Sequence, residues 1–323
     1  MSLIDAGIPV PVTADNFNRA ESDSYFARTM KLAGGIGKLF RRTELEPIDR
    51  QLVIRANRDT FYSAGVFDLE ASPVTITMPD PGKRFMSMIV IDQDQYAHAT
   101  YYGAASHMLT KQEIGMRYVL VGIRTFVDPS SATDVDQVKA LQDAVTVRQE
   151  NAGSWEAPNW DPASAKKVRD ALLVLAGTLP DTRGMFGPRD KVDPVRHLIG
   201  TATGWGGNAD RDALYLTVVP SRNDGKTKYR LTVKDVPVDA FWSISVYNDK
   251  GFFEKNQFDA YSLNNITAKK DDDGSVTIQF GGCDGKIPNC LAITPGWNYW
   301  VRLYRPRREI LNGSWKFPNL QPL

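Results

Sequence analysis

Two cysteines and three histidines are all that 323 residues offer, so routes through zinc, thiolate or imidazole chemistry are few. Cys283 and Cys290 stand as Cys-x6-Cys with no neighbouring His or Cys, which is too few ligands for zinc, and neither a metal nor a cofactor is expected. Two free thiols in a reducing compartment is the favoured reading; the turn-rich Asp-Gly-Lys-Ile-Pro-Asn between them leaves a disulfide open. No sign of charge dominates. Lys+Arg 39 against Asp+Glu 38 gives a net charge of +1, so no global field draws nucleic acid or an anionic membrane. No apolar run reaches the roughly 18 residues of a membrane span. The start, Met1-Ser-Leu-Ile-Asp-Ala-Gly-Ile-Pro9, lacks a basic stretch followed by an apolar one, so no secretory signal is read there. The cytoplasm is the default expectation, with the periplasm left open. Gly-x-Ser-x-Gly, His-Glu-x-x-His, a Walker loop and a dinucleotide fingerprint are all missing.

What is present is an echo. Arg84-Phe-Met-Ser-Met-Ile-Val-Ile-Asp92 lines up with Ala240-Phe-Trp-Ser-Ile-Ser-Val-Tyr-Asn248, placing Phe85 over Phe241 and Ser87 over Ser243. Alternation puts Met86, Met88 and Val90 on one strand face, and Trp242, Ile244 and Val246 likewise. Upstream, Val74-Thr-Ile-Thr-Met78 resembles Tyr229-Arg-Leu-Thr-Val233, and Asn57-Arg-Asp-Thr-Phe-Tyr62 resembles Asn208-Ala-Asp-Arg-Asp-Ala-Leu-Tyr215. Two related β-rich halves follow from this.

Residues 13–33 read as a helix capped by Thr13 or Asp15, with Phe17, Ala20, Ser24, Ala27 and Leu32 as its stripe and Gly34-Gly-Ile-Gly37 as its end. From Leu52 to Val127 short β-branched and aromatic runs predict strands near 61–69, 73–78, 84–91, 98–102 and 117–126. Helical spacing then returns: Val135, Val138, Leu141 and Val145 after Thr133 and Asp134, a second helix from Asp161-Pro162 to Gly177, and a short third from Asp193-Pro194 carrying His197. The organisation expected is a first β domain with its helix over 1–128, a helical connector over 129–200 and a second β-sandwich over 201–323.

Asn16-Phe-Asn-Arg-Ala-Glu-Ser-Asp-Ser-Tyr-Phe26, Asn57-Arg-Asp-Thr-Phe-Tyr-Ser63, Val74-Thr-Ile-Thr-Met-Pro-Asp80 and Ala140-Leu-Gln-Asp143 resemble the N-terminal part of a bacterial family of paired domains. Gly204-Trp-Gly-Gly-Asn208, Val238-Asp-Ala-Phe-Trp-Ser-Ile-Ser-Val-Tyr-Asn248, Tyr261-Ser-Leu263 and Val301-Arg-Leu-Tyr-Arg-Pro306 resemble its second partner. The family joins domain of unknown function 1254 to domain of unknown function 1214, and the likeness runs nearly end to end. It implies a mainly β fold of two jelly-roll-like antiparallel β-sandwich domains joined by helices. It brings no catalytic residues with it.

Chemistry has to be read from the residues. Asn57, Arg58, Asp59 and Tyr62 crowd the head of a predicted strand, where Arg58 could grip an anion and Asp59 could act as a base if burial raised its pKa. Asp92-Gln-Asp-Gln-Tyr-Ala-His98 has metal-like side chains but reads as a polar turn. Trp300 and Arg302 share a strand face opposite Tyr299, Val301 and Leu303, making Trp300 the pocket wall and Trp242 a core residue. The reading is a small polar or anionic organic ligand held between the halves by Asn57, Arg58, Asp59, Tyr62, Tyr247, Asn248, Trp300 and Arg302. Its catalytic form is metal-independent hydrolysis or isomerisation, with Asp59 as base. The alternative is a non-catalytic carbohydrate-binding or assembly module with an open aromatic platform; a homo-oligomer is left open.

Overall fold

The computed structural model describes residues 8–51 and 54–323; Met1–Gly7 of the stretch read for a secretory signal, and Leu52, lie outside them. The first half runs α1 (Phe17–Ala33), β1 (Leu39–Arg42), β2 (Thr60–Asp68), β3 (Val74–Met78), β4 (Met86–Asp92), β5 (Ala97–Tyr102) and β6 (Ala105–Leu109). It continues through α2 (Lys111–Ile114), β7 (Tyr118–Phe126), α3 (Ala132–Ala144) and β8 (Thr146–Gln149). Helices α4 (Pro162–Ala176) and α5 (Pro194–Gly204) lead into β9 (Ala213–Val218), β10 (Tyr229–Val233), β11 (Trp242–Tyr247), β12 (Ser262–Asn264) and β13 (Val276–Phe280). Then come β14 (Cys290–Leu291), β15 (Asn298–Tyr304), α6 (Arg308–Leu311) and β16 (Gln321–Pro322).

Alternation in the sequence becomes two-sheet packing. In β3, Val74, Ile76 and Met78 are buried while Thr75 and Thr77 are half-buried. They face Met86, Met88 and Val90 of β4 and Val119, Val121 and Ile123 of β7 in one core; each such side chain contributes about 1.5–3 kcal/mol on full burial. The second half repeats the plan, with Leu231, Val233, Trp242, Ile244, Val246, Val301 and Leu303 in its core. The strand order repeats too. One sheet reads β1-β2-β7-β4-β5 against β6-β3-β8; the other half reads β9-β15-β11-β12 against β14-β13-β10-β16. All pairings are antiparallel except β13 with β14, and the chain is the mainly β protein with an N-terminal helix that its sequence predicts.

The large sheets also bury their outer faces. Phe26 and Met30 of α1 cover Val66, Ile89, Ile91 and Leu120. Between the halves a third core joins Phe17 and Ala20 of α1, Leu172 of α4 and Ile199 and Ala202 of α5 to Phe126, Phe241, Tyr247, Trp300 and Tyr304. The echoed pair Phe85 and Phe241 meets here at 5.3 Å between ring centroids, with Phe126 at 4.9 Å and Tyr304 at 4.3 Å from Phe241.

Several local expectations are corrected. The buried face of α1 is Phe17, Ala20, Glu21, Ser22, Asp23, Phe26 and Met30, not the stripe through Ser24, Ala27 and Leu32, because polar partners from other elements satisfy its acids. Arg169 of α4 pairs with Glu21, Gln93 and Trp160 donate to Asp23, and Trp205 donates to Ser22. Its N-cap is Asn16, which makes no side-chain cap bond, in place of Thr13 or Asp15; α3 is capped by Ser131 rather than by Thr133 or Asp134. Strand β8 falls inside the segment expected to be a helical connector and pairs with β3, so the first sandwich takes in Gln149. Cys283 and Cys290 form a disulfide across a Cα separation of 5.6 Å, against the favoured reading of free thiols. The intervening turn, with Gly285 at φ 78° and Asn289 at φ 52°, brings them together. Among the described residues no helix is long and apolar enough to cross a membrane.

Candidate binding site between the two sandwiches

A cavity of about 280 Å³ lies where the outer faces of the two large sheets meet. Strand register builds its walls. On the first sheet Tyr62 of β2 stands opposite Arg124 of β7, which stands opposite Ser87 of β4. On the second, Tyr215 of β9 stands opposite Arg302 of β15, which stands opposite Ser243 of β11. Each sheet thus presents a Tyr-Arg-Ser row. One step along the first sheet the row becomes Ala64, Gly122 and Ile89, and the small residues Ala64 and Gly122 hollow the floor beside Ile89. Leu120, Ile91, Trp205, Phe186 and Trp300 complete the apolar wall, while Leu32 and Arg28 of α1 also line it.

The rows are tied reciprocally across the seam. Arg124 donates to the Gly206 carbonyl at 2.6 Å and to Asn208 Oδ1 at 3.3 Å, both from the second half. Arg302 donates to the carbonyls of Arg55 and Ala56, from the first half, at 2.8 and 3.2 Å, and to Tyr247 and Ser245 within its own sheet. Above it Arg55, at φ 53°, lays its guanidinium 5.1 Å from the Trp300 ring. Its Nε and the Trp300 indole N–H are buried without a hydrogen-bond partner. Burial lowers the Arg55 pKa, and the neighbouring Arg302 cation adds to the effect. Five arginines line the cavity, Arg28, Arg42, Arg55, Arg124 and Arg302, against one acid, Glu46, which pairs with Arg42.

Of the residues proposed from sequence, Asn57, Tyr62, Trp300 and Arg302 line this cavity. Arg58 and Asp59 do not. The Asp59 carboxylate accepts from Ser243 Oγ at 2.6 Å and from Asn264 Nδ2 at 3.1 Å, so both oxygens are committed across the seam, and only 2% of the residue is exposed. Burial does raise its pKa, with Arg302 opposing, yet it has no path to a ligand in the cavity. Arg58 donates to the Glu46 carbonyl and lies 5.4 Å from the Tyr261 ring and 5.9 Å from that of Phe253. Tyr247 stands behind the wall, donating to the Ala56 carbonyl at 2.7 Å. Asn248 turns the chain by accepting from the N–H groups of Lys250 and Phe252. Asp92 likewise caps its own turn through Asp94 and Tyr96 and meets His98 at 2.9 Å, and His197 is held by two backbone carbonyls, those of Met185 and Asp94.

Sequence reasoning missed Arg124, Arg55, Tyr215 and Tyr304. A signal for Arg124 existed: a lone cation inside the apolar run Tyr118-Val-Leu-Val-Gly-Ile-Arg-Thr-Phe126, on the same strand face as Gly122 and Leu120.

Fold and site together define a class of protein, two antiparallel β-sandwiches closed over a shared, cation-rich cavity. Residues 39–122 match the family model described as "Protein of unknown function (DUF1254)" and residues 219–308 the one described as "Protein of unknown function (DUF1214)". The chain belongs to the family that carries these two domains in this order. No curated protein matches it. The crystal structure of the VPA0106 protein from Vibrio parahaemolyticus is similar over 96% of this chain and 97% of its own, with a TM-score of 0.70 at 18% identity. An uncharacterized protein from Burkholderia cenocepacia is similar over 95% of this chain and 86% of its own, with a TM-score of 0.56 at 12% identity. These likenesses show the fold.

Proposed function

We propose that this protein binds a small organic anion in the cavity between its two sandwiches. The observation that carries the reading is the charge imbalance of the wall. Three guanidiniums, those of Arg55, Arg124 and Arg302, form no ion pair among the described residues, although each lines the cavity. Cations held among aromatic rings and carbonyls, away from bulk water, gain most from an anion brought to them. The cavity volume sits near the lower end of the usual range for organic ligands. Asn57, Tyr62 and Trp300 keep the ligand-facing role; Arg302, whose donors are spent on Ser245, Tyr247 and the Arg55 and Ala56 carbonyls, joins Arg58, Asp59, Tyr247 and Asn248 in the frame that positions them. This frame role leaves hydrolysis or isomerisation with Asp59 as base unsupported. An open carbohydrate platform is also disfavoured, since Trp242, Trp297, Trp300, Tyr247 and Tyr304 are all buried.

The repeated strand order and the two Tyr-Arg-Ser rows favour descent of both halves from one duplicated unit. The Cys283–Cys290 disulfide favours maturation in an oxidising compartment.

The test is a thermal-shift screen of organic carboxylates, sulfonates and phosphate esters beside their uncharged isosteres, on wild type and Arg124→Gln. Anionic members should raise the wild-type midpoint while their isosteres leave it alone, and Arg124→Gln should flatten the response. Equal stabilisation by the uncharged members, or an unchanged response in Arg124→Gln, would overturn the reading.

A further inference from the structure

Hydrogen-bond direction around the cavity carries the assignment further. Asn57 Oδ1 accepts the Asp59 backbone N–H at 2.9 Å, which fixes the amide so that its Nδ2 points its two hydrogens at the hydroxyls of Tyr62 and Tyr304, each at 3.1 Å, with Thr60 Oγ1 farther off at 3.3 Å. Asn208 is fixed in the same way. Its Oδ1 accepts from Arg124, so its Nδ2 donates to the Tyr215 hydroxyl at 3.0 Å. Each phenol therefore spends its oxygen as an acceptor, and each still owns one O–H to donate. Among the described residues no hydrogen bond uses the hydroxyl proton of Tyr62, Tyr215 or Tyr304, and all three line the cavity. Tyr215 and Tyr304 rings lie 6.5 Å apart between centroids, and the Arg124 guanidinium lies 5.8 Å from the Tyr62 ring. Burial, with Tyr215 and Tyr62 beside it, holds the Tyr304 phenol well above the ordinary tyrosine range, so it stays protonated and donates.

We infer that Tyr62, Tyr215, Tyr304 and Arg124 form a receptor for one carboxylate, and that the ligand is a monocarboxylate whose apolar body lies along Ala64, Gly122 and Ile89. This rests on the anion-binding reading above and narrows it. A carboxylate presents two oxygens with about four acceptor positions, enough for three O–H donors and a guanidinium. Arg302 is spent on two carbonyls and two hydroxyls and Arg55 lies over the Trp300 ring, so Arg124 is the guanidinium beside the phenols, and a dianionic phosphate ester brings one charge more than it meets. Beyond the polar end the floor is carbon, formed by Ile89, Ile91 and Leu120, which selects an apolar body over a sugar.

Calorimetric titration with matched probes tests this: octanoate against 1-octanol, benzoate against benzyl alcohol, and octyl phosphate, on wild type, Tyr62→Phe, Tyr304→Phe and Arg124→Gln. At least one carboxylate should bind, with its alcohol and octyl phosphate much weaker. Each Tyr→Phe change should weaken the carboxylate about tenfold, the worth of one hydrogen bond to a charged group. Unfolding midpoints of the Phe variants, measured alongside, separate lost contacts from lost fold. Undiminished carboxylate binding in the folded Phe variants, or preference for octyl phosphate, overturns the carboxylate receptor and leaves the anion reading standing. Binding of no anion of either kind removes both.

Discussion

The two sandwiches put the same residues to different uses. Tyr62, Arg124 and Ser87 in the first half occupy the register positions of Tyr215, Arg302 and Ser243 in the second, and an Asn amide donates to the Tyr in each. Yet Arg302 is 2% exposed and engaged by two carbonyls and two hydroxyls, whereas Arg124 is half-buried, has two acceptors and looks onto the hollow made by Ala64 and Gly122. Ser243 is bonded to Asp59, while the Ser87 hydroxyl has no partner. One row acts as a clasp, and on the proposed reading the other is the receptor. The inner faces are apolar in both halves; the outer faces pack α1 and the seam core and carry the differences between the two rows.

Breaking the seam should have the largest effect. Phe241→Ala, which removes the ring shared by Phe85, Phe126 and Tyr304, should cost about 3–5 kcal/mol by chemical denaturation. Next, the paired substitutions Arg302→Gln and Arg124→Gln should separate the two rows. The first should lose about 3 kcal/mol of stability, since it strands two buried carbonyls and two hydroxyls that Arg302 serves; the second should lose less stability and more ligand affinity. Equal losses in both would erase the distinction drawn between clasp and receptor. Converting both Cys283 and Cys290 to Ser should cost about 2 kcal/mol, from the short loop the bond closes, read as a shift in denaturation midpoint.

The smallest effect is one of pH. Asp59 has its folded pKa raised above 3.8 by burial, so the stability it contributes is fully present below that value and is lost as pH rises through the folded pKa. The stability of wild type relative to Asp59→Asn should therefore fall as pH climbs from about 3.8 upward, measured as unfolding free energy at stepped pH. A difference that grows with pH would mean Asp59 is held by its partners more strongly than burial opposes it.

Most strands were legible because one face of each is buried in an apolar core. The predicted 73–78 and 117–126, for instance, are realised as Val74–Met78 and Tyr118–Phe126. Several edge strands were not. Leu39–Arg42, Ala105–Leu109, Thr146–Gln149 and Gln321–Pro322 lie at the outer edges of their sheets, where exposed or half-exposed side chains weaken the alternation. The face of α1 was illegible for another reason: Glu21 and Asp23 look like solvent residues until Arg169, Gln93 and Trp160 arrive from distant positions. Asn57 and Tyr62, chosen by local density, and Trp300 and Arg302, chosen by strand phase, line the cavity. Arg58 and Asp59 lie outside that lining, because spacing alone does not say that Ser243 and Asn264, far along the chain, claim the Asp59 carboxylate.

The central claim is that the hollow over Ala64 and Gly122 is where the ligand's body lies. Ala64→Trp puts an indole into that hollow, so titrating an organic anion that stabilises wild type against this variant is the most direct measurement. Binding should be abolished while the unfolding midpoint stays near that of wild type; an affinity equal to that of wild type would contradict the account.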